Sequence, residues 1–232
     1  MCDVEVLPAG KSLREYTAGG HPAQGIVCLL TQEIDSTLLG QLPCLEFVAS
    51  VSVGVDHIDV AAMTLGGIAV GHTPGVLVDA TADTAFALLL AAARRIPEAD
   101  RFVRGGRWQP EQPWSPDFFL GKHVAGATLG IVGLGAIGQA VARRAQAFGM
   151  SVLGWTPSAR PVAGVTPASL DELLATSDYV SVHVARTQET LGLLGEREIA
   201  LMKAGSVLVN SARGGIVDER ALYEALRDGH LF

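Results

Sequence analysis

Short apolar runs separated by turn residues fill the first seventy positions. Val4 and Val6 alternate with polar neighbours as in a strand. Residues 25–30 (Gly-Ile-Val-Cys-Leu-Leu) read as a buried strand, and residues 46–50 as another. Between them, residues 35–42 fit a short helix stopped by Pro43. Residues 56–63 predict a further helical turn, followed by Gly66-Gly67 and a strand through Ile68, Ala69 and Val70. Short strands separated by helices require crossover connections, and hence a parallel α/β sheet.

Pro74-Gly75 punctuates the chain and divides it into residues 1–73 and 74–232. Residues 79–95 carry the strongest helix pattern, with Asp79 near the start, Arg94-Arg95 near the end and Pro97 beyond. The centre of this helix is apolar on nearly all sides, which predicts cover on both, from the core or from a second subunit. Residues 105–122, with Trp108, Pro110, Pro113, Trp114 and Pro116, predict a long irregular loop of functional or interfacial use. From Thr128 a second rhythm begins, with strands over 128–132, 151–155, 179–184 and 206–210 and helices between them. Ser169 and Glu172 form a capping-box pair for a helix over 170–176. Asp218 caps a last helix that runs to Asp228 before Gly229.

Composition narrows the classes. The 232 residues are 49% hydrophobic and 18% charged, which suits a large buried core rather than a disordered chain. The longest apolar run, residues 85–93, falls far short of the roughly 18 residues of a membrane span. A net charge of −7 from 17 basic and 24 acidic residues leaves no basic footprint for nucleic acid. The start, Met1-Cys2-Asp3-Val4-Glu5, lacks the features of a secretory signal. Cys2, Cys28 and Cys44, odd in number and without CxxC spacing, predict neither a disulfide framework nor a zinc site. A cytoplasmic setting follows from these features together. Glycine, at 27 of 232, exceeds the usual share of about 7%, and its positions show where turns and close approaches are needed.

The cluster Gly133-Leu134-Gly135-Ala136-Ile137-Gly138 fits GxGxxG, follows an apolar strand and opens a helix. That context turns a common pattern into a dinucleotide site. Gly133 permits the tight turn, Gly135 lets the backbone approach a pyrophosphate, and Gly138 permits close helix–strand packing. Free N–H groups and the dipole at the helix start attract the phosphates. NAD sites place Asp or Glu about 20 residues on, for the ribose 2′-hydroxyl. Here no carboxylate occurs from Ser151 through Leu170, and the one charge is Arg160. Arg160, with the hydroxyls of Thr156 and Ser158, suits a 2′-phosphate, so NADP(H) is favoured over NAD(H).

Several segments together resemble the D-isomer-specific 2-hydroxyacid dehydrogenases, and among them the glyoxylate/hydroxypyruvate reductases. They are Val-Ser-Val-Gly-Val-Asp-His-Ile-Asp at 51–59, Thr-Pro-Gly-Val-Leu at 73–77, Asp-Ala-Thr-Ala-Asp at 79–83, residues 130–138, and Val-Asn-Ser-Ala-Arg-Gly-Gly-Ile-Val-Asp at 209–218. The resemblance implies a Rossmann-type doubly wound parallel sheet plus an incomplete flavodoxin-like α/β substrate domain. It also implies NADPH-dependent reduction of a small 2-oxo acid to the 2-hydroxy acid in a cleft between domains. Arg213 would hold the substrate carboxylate, helped by backbone N–H groups of Val53 and Gly54. Ala136, Ile137 and Gly138 would meet the pyrophosphate, Ala185 and Ser211 would line the ribose–nicotinamide stretch, and Thr81 is a lesser contact beside the nicotinamide. His57, Asp56 and Asp59 read as turn or helix-start residues, and His183 as a packed core histidine.

Two departures stand out. The family often reads Pro-Leu-Thr after the fourth strand, where this chain has Ala185-Arg186-Thr187. The family's catalytic Glu and His belong to positions after Phe232, so the resemblance implies a fragment, truncated at both ends and inactive alone. The alternatives are a dinucleotide-sensing, corepressor-like binding protein on the same fold, and an inactive truncated product. A homodimer joined through the 79–95 helix and the Trp108–Trp114 loop completes the expectations.

Overall fold

A computed structural model describes residues 3–111, 115–157 and 161–232. The chain divides into two units, Met1–Leu77 and Val78–Phe232. In the first, α1 (Leu13–Tyr16) precedes β1 (Gly25–Cys28), α2 (Ser36–Leu39), β2 (Phe47–Ser50), α3 (Val60–Leu65) and β3 (Ala69–Gly71). The strands are parallel in the order β1-β2-β3, with Ile26 opposite Val48 and Val48 opposite Val70. Each short helix starts on a side-chain cap. Ser12 and Glu15 form a capping box on α1, Asp35 accepts from the Leu38 amide, and Asp59 accepts from the Ala62 amide. Ile26, Cys28, Ile34, Leu38, Val48, Ile58 and Met63 make the core on one face of the sheet.

The strand expected around Val4 and Val6 does not form. Both side chains are exposed, and the outer edge of β1 has no partner strand among the described residues. Leu29 and Leu30 likewise leave β1 at its carboxyl end and are exposed.

The second unit opens with α4 (Val78–Ala93) and α5 (Ile96–Arg104). Then follow β4 (Thr128–Val132), α6 (Ala136–Ala147), β5 (Ser151–Trp155), β6 (Thr166–Pro167), α7 (Leu170–Thr176), β7 (Tyr179–Val182), α8 (Glu196–Leu201), β8 (Val207–Asn210) and α9 (Glu219–Arg227). All five strands are parallel in the order β6-β5-β4-β7-β8, so the chain winds outward in both directions from β4. Ala82, Phe86 and Leu89 of α4 join Val141 and Ala145 of α6 in one apolar layer. Leu173, Leu174, Leu194, Ile199, Met202 and Ile216 form a separate layer with the opposite faces of the strands. The doubly wound sheet expected from the sequence is therefore present.

Two differences from the sequence expectations have physical causes. The helix expected over 79–95 stops at Ala93, and Arg95 takes a left-handed φ of 55° that turns the chain into α5. Pro97 is no terminator here: it sits in the first turn of α5, where its missing N–H costs nothing. Within this chain Ala82, Ala85, Phe86 and Leu89 of α4 are buried, and Leu88 is half exposed. Within the loop at 105–122, Trp108 and Phe102 pack on Phe118, whereas Pro113 and Trp114 lie outside the described residues. Among the described residues, no helix is long and apolar enough to cross a membrane, and no group of three or more His, Cys, Asp or Glu could hold a metal ion.

Candidate active site

Strand β4 ends at Val132, and the turn into α6 is built from glycines with different duties. Gly133 has φ +103°, and a Cβ there would lie 2.7 Å from the backbone carbon of His183 and the nitrogen of Val184. Its own N–H donates to the Trp155 carbonyl at 2.8 Å. A Cβ at Gly138 would collide with the Gly133 carbonyl oxygen, so this position fixes how closely α6 lies on β4. Gly135 is different, because a Cβ there would meet nothing within 4 Å. No packing demand within the protein calls for glycine at 135. It is the N-cap of α6 and supplies no side-chain cap, so Ala136 and its neighbours present their amides outward.

Beside this helix start lies an open cleft of about 580 Å³, lined by Gly135, Gln139 and Arg143 of α6 and by Thr156, Pro161 and Val162 after β5. Among the described residues, no carboxylate lines it. Gln139 turns its amide back to the Leu134 carbonyl at 2.9 Å and steadies the turn. Ser158 and Arg160 lie outside the described residues. An uncapped helix start, open space at Gly135 and a cleft without acids together fit a dinucleotide with its pyrophosphate at α6.

The carboxyl ends of β7 and β8 supply the rest. His183 follows β7, its N–H donating to the Val132 carbonyl at 2.7 Å. Its ring lies between two serines, with Nε2 2.8 Å from Ser181 Oγ and Nδ1 3.4 Å from Ser211 Oγ. Burial pushes its pKa down from 6.5 to about 4, so the ring is neutral at neutral pH, with one nitrogen donating and the other accepting. The departure Ala185-Arg186-Thr187 is held by Thr190, whose hydroxyl donates to the Ala185 carbonyl and accepts from the Thr187 amide, both at 2.7 Å. After β8, Asn210 clamps the arginine loop with both ends of its amide. Its Oδ1 accepts from Ala212 N and its Nδ2 donates to Arg213 O, each at 3.0 Å. Arg213 is half-buried, with Nη1 donating to the Ala212 carbonyl at 2.8 Å. Thr81 sits in α4, half-buried.

In the smaller unit, Val53 and Gly54 follow β2, and every carbonyl of this loop is held from behind. Ser52 O accepts from the Thr73 amide at 2.9 Å, Val53 O from His72 Nδ1 at 2.9 Å, and Gly54 O from Ser52 Oγ at 2.6 Å. Ser50 links this set to His57, its Oγ lying 2.7 Å from Ser52 Oγ and 2.9 Å from His57 Nε2. The amides of Val53 and Gly54 donate to no protein acceptor among the described residues. With the carbonyls engaged, those two N–H groups are available to an anion. Asp59 serves as the cap of α3.

Sequence reasoning passed over Arg143, Thr190, Asn210, Ser50, Ser52 and His72. Asn210 and Thr190 carried a legible signal, since each stands at short-range spacing from the loop it fastens. His72 did not, because its partner, the Val53 carbonyl, lies 19 residues earlier in the chain.

Comparison with known proteins gives a consistent picture. Residues 86–232 match the family model described as D-isomer specific 2-hydroxyacid dehydrogenase, NAD binding domain. A glyoxylate reductase of Thermococcus litoralis is 48% identical over 232 residues, covering 98% of this chain and 69% of the relative. Another, from Korarchaeum cryptofilum, is 50% identical over 208 residues, covering 88% of this chain and 62% of the relative. A solved structure of a Thermus thermophilus protein superposes with a TM-score of 0.87 at 44% identity, over 98% of this chain and 70% of that one. The chain thus spans between about three fifths and seven tenths of the length of these proteins. Glycine turn, strand order and sequence likeness agree: this chain belongs to the D-isomer specific 2-hydroxyacid dehydrogenases, whose NAD-binding domain it carries over residues 86–232.

Proposed function

We propose that this chain binds NADP(H) and the carboxylate of a small 2-oxo acid of the glyoxylate or hydroxypyruvate type, for reduction to the 2-hydroxy acid. The observation that carries the reading is Gly135, a glycine facing open space at an uncapped helix start beside a cleft without carboxylates. The dinucleotide, when bound, supplies the hydride. The protein's part is to hold and orient. Amides of Ala136, Ile137 and Gly138 at the start of α6 receive the pyrophosphate. Neutral His183 orients the Ser211 hydroxyl beside the ribose–nicotinamide stretch, next to Ala185 and Thr81. Arg213, steadied by Asn210, offers its planar fork to the substrate carboxylate. In the smaller unit the Val53 and Gly54 amides offer two donors to an anionic group. The absence of an acid after β5, together with Thr156, Ser158 and Arg160, supports NADP(H) over NAD(H). The half-exposed Leu88 on α4 supports a homodimer in which a second copy of the chain covers it.

The test uses glyoxylate titrated into the NADPH-loaded chain, read by nicotinamide fluorescence. Saturable binding is expected, lost in Arg213→Ala, weakened in Arg213→Lys, and absent for acetaldehyde, which has no carboxylate. Equal binding by wild type and Arg213→Ala overturns the reading.

A further inference from the structure

Two adjacent arginines of α6 have different surroundings. Arg144 turns toward α4, where its guanidinium lies 2.6 Å from Asp83 and 3.3 Å from Asp79, so its charge is spent within the protein. Arg143 turns the other way, is exposed, and lines the cleft. It makes no hydrogen bond or ion pair with any described residue. Gly135, Gln139, Ala142 and Arg143 fall at i, i+4, i+7 and i+8, one face of the helix, and all four line that cleft. Across from them stand Thr156, Pro161 and Val162.

The position of Arg143 narrows what it can bind. The outward amides at the start of α6 already suit a pyrophosphate. Arg143 follows the N-cap by eight residues, about 12 Å of helix rise. Its side chain leans back toward the helix N-terminus, as helical side chains do. It therefore serves a second anionic group on the same ligand, displaced from the first along the cleft. Gln139 is committed to the Leu134 carbonyl, which leaves Arg143 as the cationic donor of this wall. Five N–H donors in a rigid fork match a terminal phosphate better than a hydroxyl.

We propose that Arg143, facing Thr156, forms the subsite for the 2′-phosphomonoester of NADP(H) and sets the preference for the phosphorylated dinucleotide. This rests on the NADP(H) reading above and adds a residue from the helix side of the cleft.

The experiment measures dissociation constants of the 232-residue chain for NADPH and NADH by quenching of tryptophan fluorescence. It compares wild type, Arg143→Ala, Arg143→Lys and Arg160→Ala. Adenosine 2′,5′-bisphosphate, 5′-AMP and inorganic phosphate serve as competitors. Arg143→Ala is expected to weaken NADPH about 10- to 100-fold, the range for loss of a charge-assisted contact, and to leave NADH within about twofold. Arg143→Lys should keep part of the preference. Adenosine 2′,5′-bisphosphate should lose the same factor as NADPH, with 5′-AMP unchanged. Equal displacement by inorganic phosphate alone at matched concentration would reduce the subsite to a general anion contact and overturn the assignment. An unchanged NADPH-to-NADH ratio in Arg143→Ala, with the ratio collapsing in Arg160→Ala, overturns the role of Arg143 while the NADP(H) reading stands. A wild-type chain that binds NADH as tightly as NADPH overturns the NADP(H) reading itself, and the subsite with it.

Discussion

The two parallel sheets of this chain bury different numbers of faces, and this decides where each unit keeps its stability. In the five-stranded sheet β7 buries all four of its residues, between the α4–α6 layer on one side and the layer from α7, α8 and α9 on the other. In the three-stranded sheet only one face is closed. Ile26, Cys28 and Val48 are buried, whereas Val27 is 74% and Phe47 46% exposed. Strands of parallel sheets are ordinarily buried on both faces. Alternate residues of β1 thus carry very unequal weight, while neighbouring residues of β7 carry similar weight.

Glycines put this contrast to its hardest test. Gly133→Ala forces a methyl against the His183 backbone at a φ of +103°, and neither strand can give way. Left-handed strain and overpacking together should cost about 4 kcal/mol. Gly25→Ala in β1 meets the Phe47 ring, an exposed side chain with room to swing, and should cost about 1 kcal/mol or less. Urea unfolding followed by far-ultraviolet circular dichroism measures both. Comparable losses would break the contrast between a packed and an open sheet.

His183 sharpens it through pH. Its folded pKa of about 4 lies below the ordinary 6.5, so the unfolded chain takes up a proton first as pH falls. Stability is therefore full above about pH 6.5 and declines toward pH 4, by about 3 kcal/mol in all. All three tryptophans, at 108, 114 and 155, belong to the larger unit, so their fluorescence reports its unfolding alone. His183→Asn should flatten this slope between pH 6.5 and 4.5. A slope unchanged by that substitution assigns the acid sensitivity elsewhere.

Paired valines make the smallest test. Val180 in β7 is fully buried and Val27 in β1 is largely exposed. Val180→Thr buries a hydroxyl among apolar neighbours and should cost about 2 kcal/mol, whereas Val27→Thr should change stability by less than about 0.5 kcal/mol. Equal costs would mean that the open face of the small sheet is as closed as the centre of the large one.

Legibility followed the range of the interaction. The strands over 128–132 and 151–155 and the helix over 170–176 match their predicted bounds, because apolar runs and caps are written within a few neighbouring residues. Pro97 misled because one proline both bars a preceding helix and suits the first turn of the next. Val4 and Val6 misled because alternation names a possible strand without naming a partner for its ladder. At the site, the glycine spacing and the arginine loop were visible as strings. The pairing of His183 with Ser211, 28 residues later, was not.

Sequence alone determined the α/β alternation, the dinucleotide turn and the residue types gathered at strand ends, since each depends on spacing along a few residues of chain. Tertiary structure decided which face of each sheet is covered, that Gly133 yields to the passing backbone at His183 while Gly135 faces open space, and that Arg144 is neutralised by α4 while Arg143 is left to the cleft. The physical reason is that a covering layer, a close backbone approach and an ion pair all depend on what stands across the gap, and the chain brings those groups from positions tens of residues away.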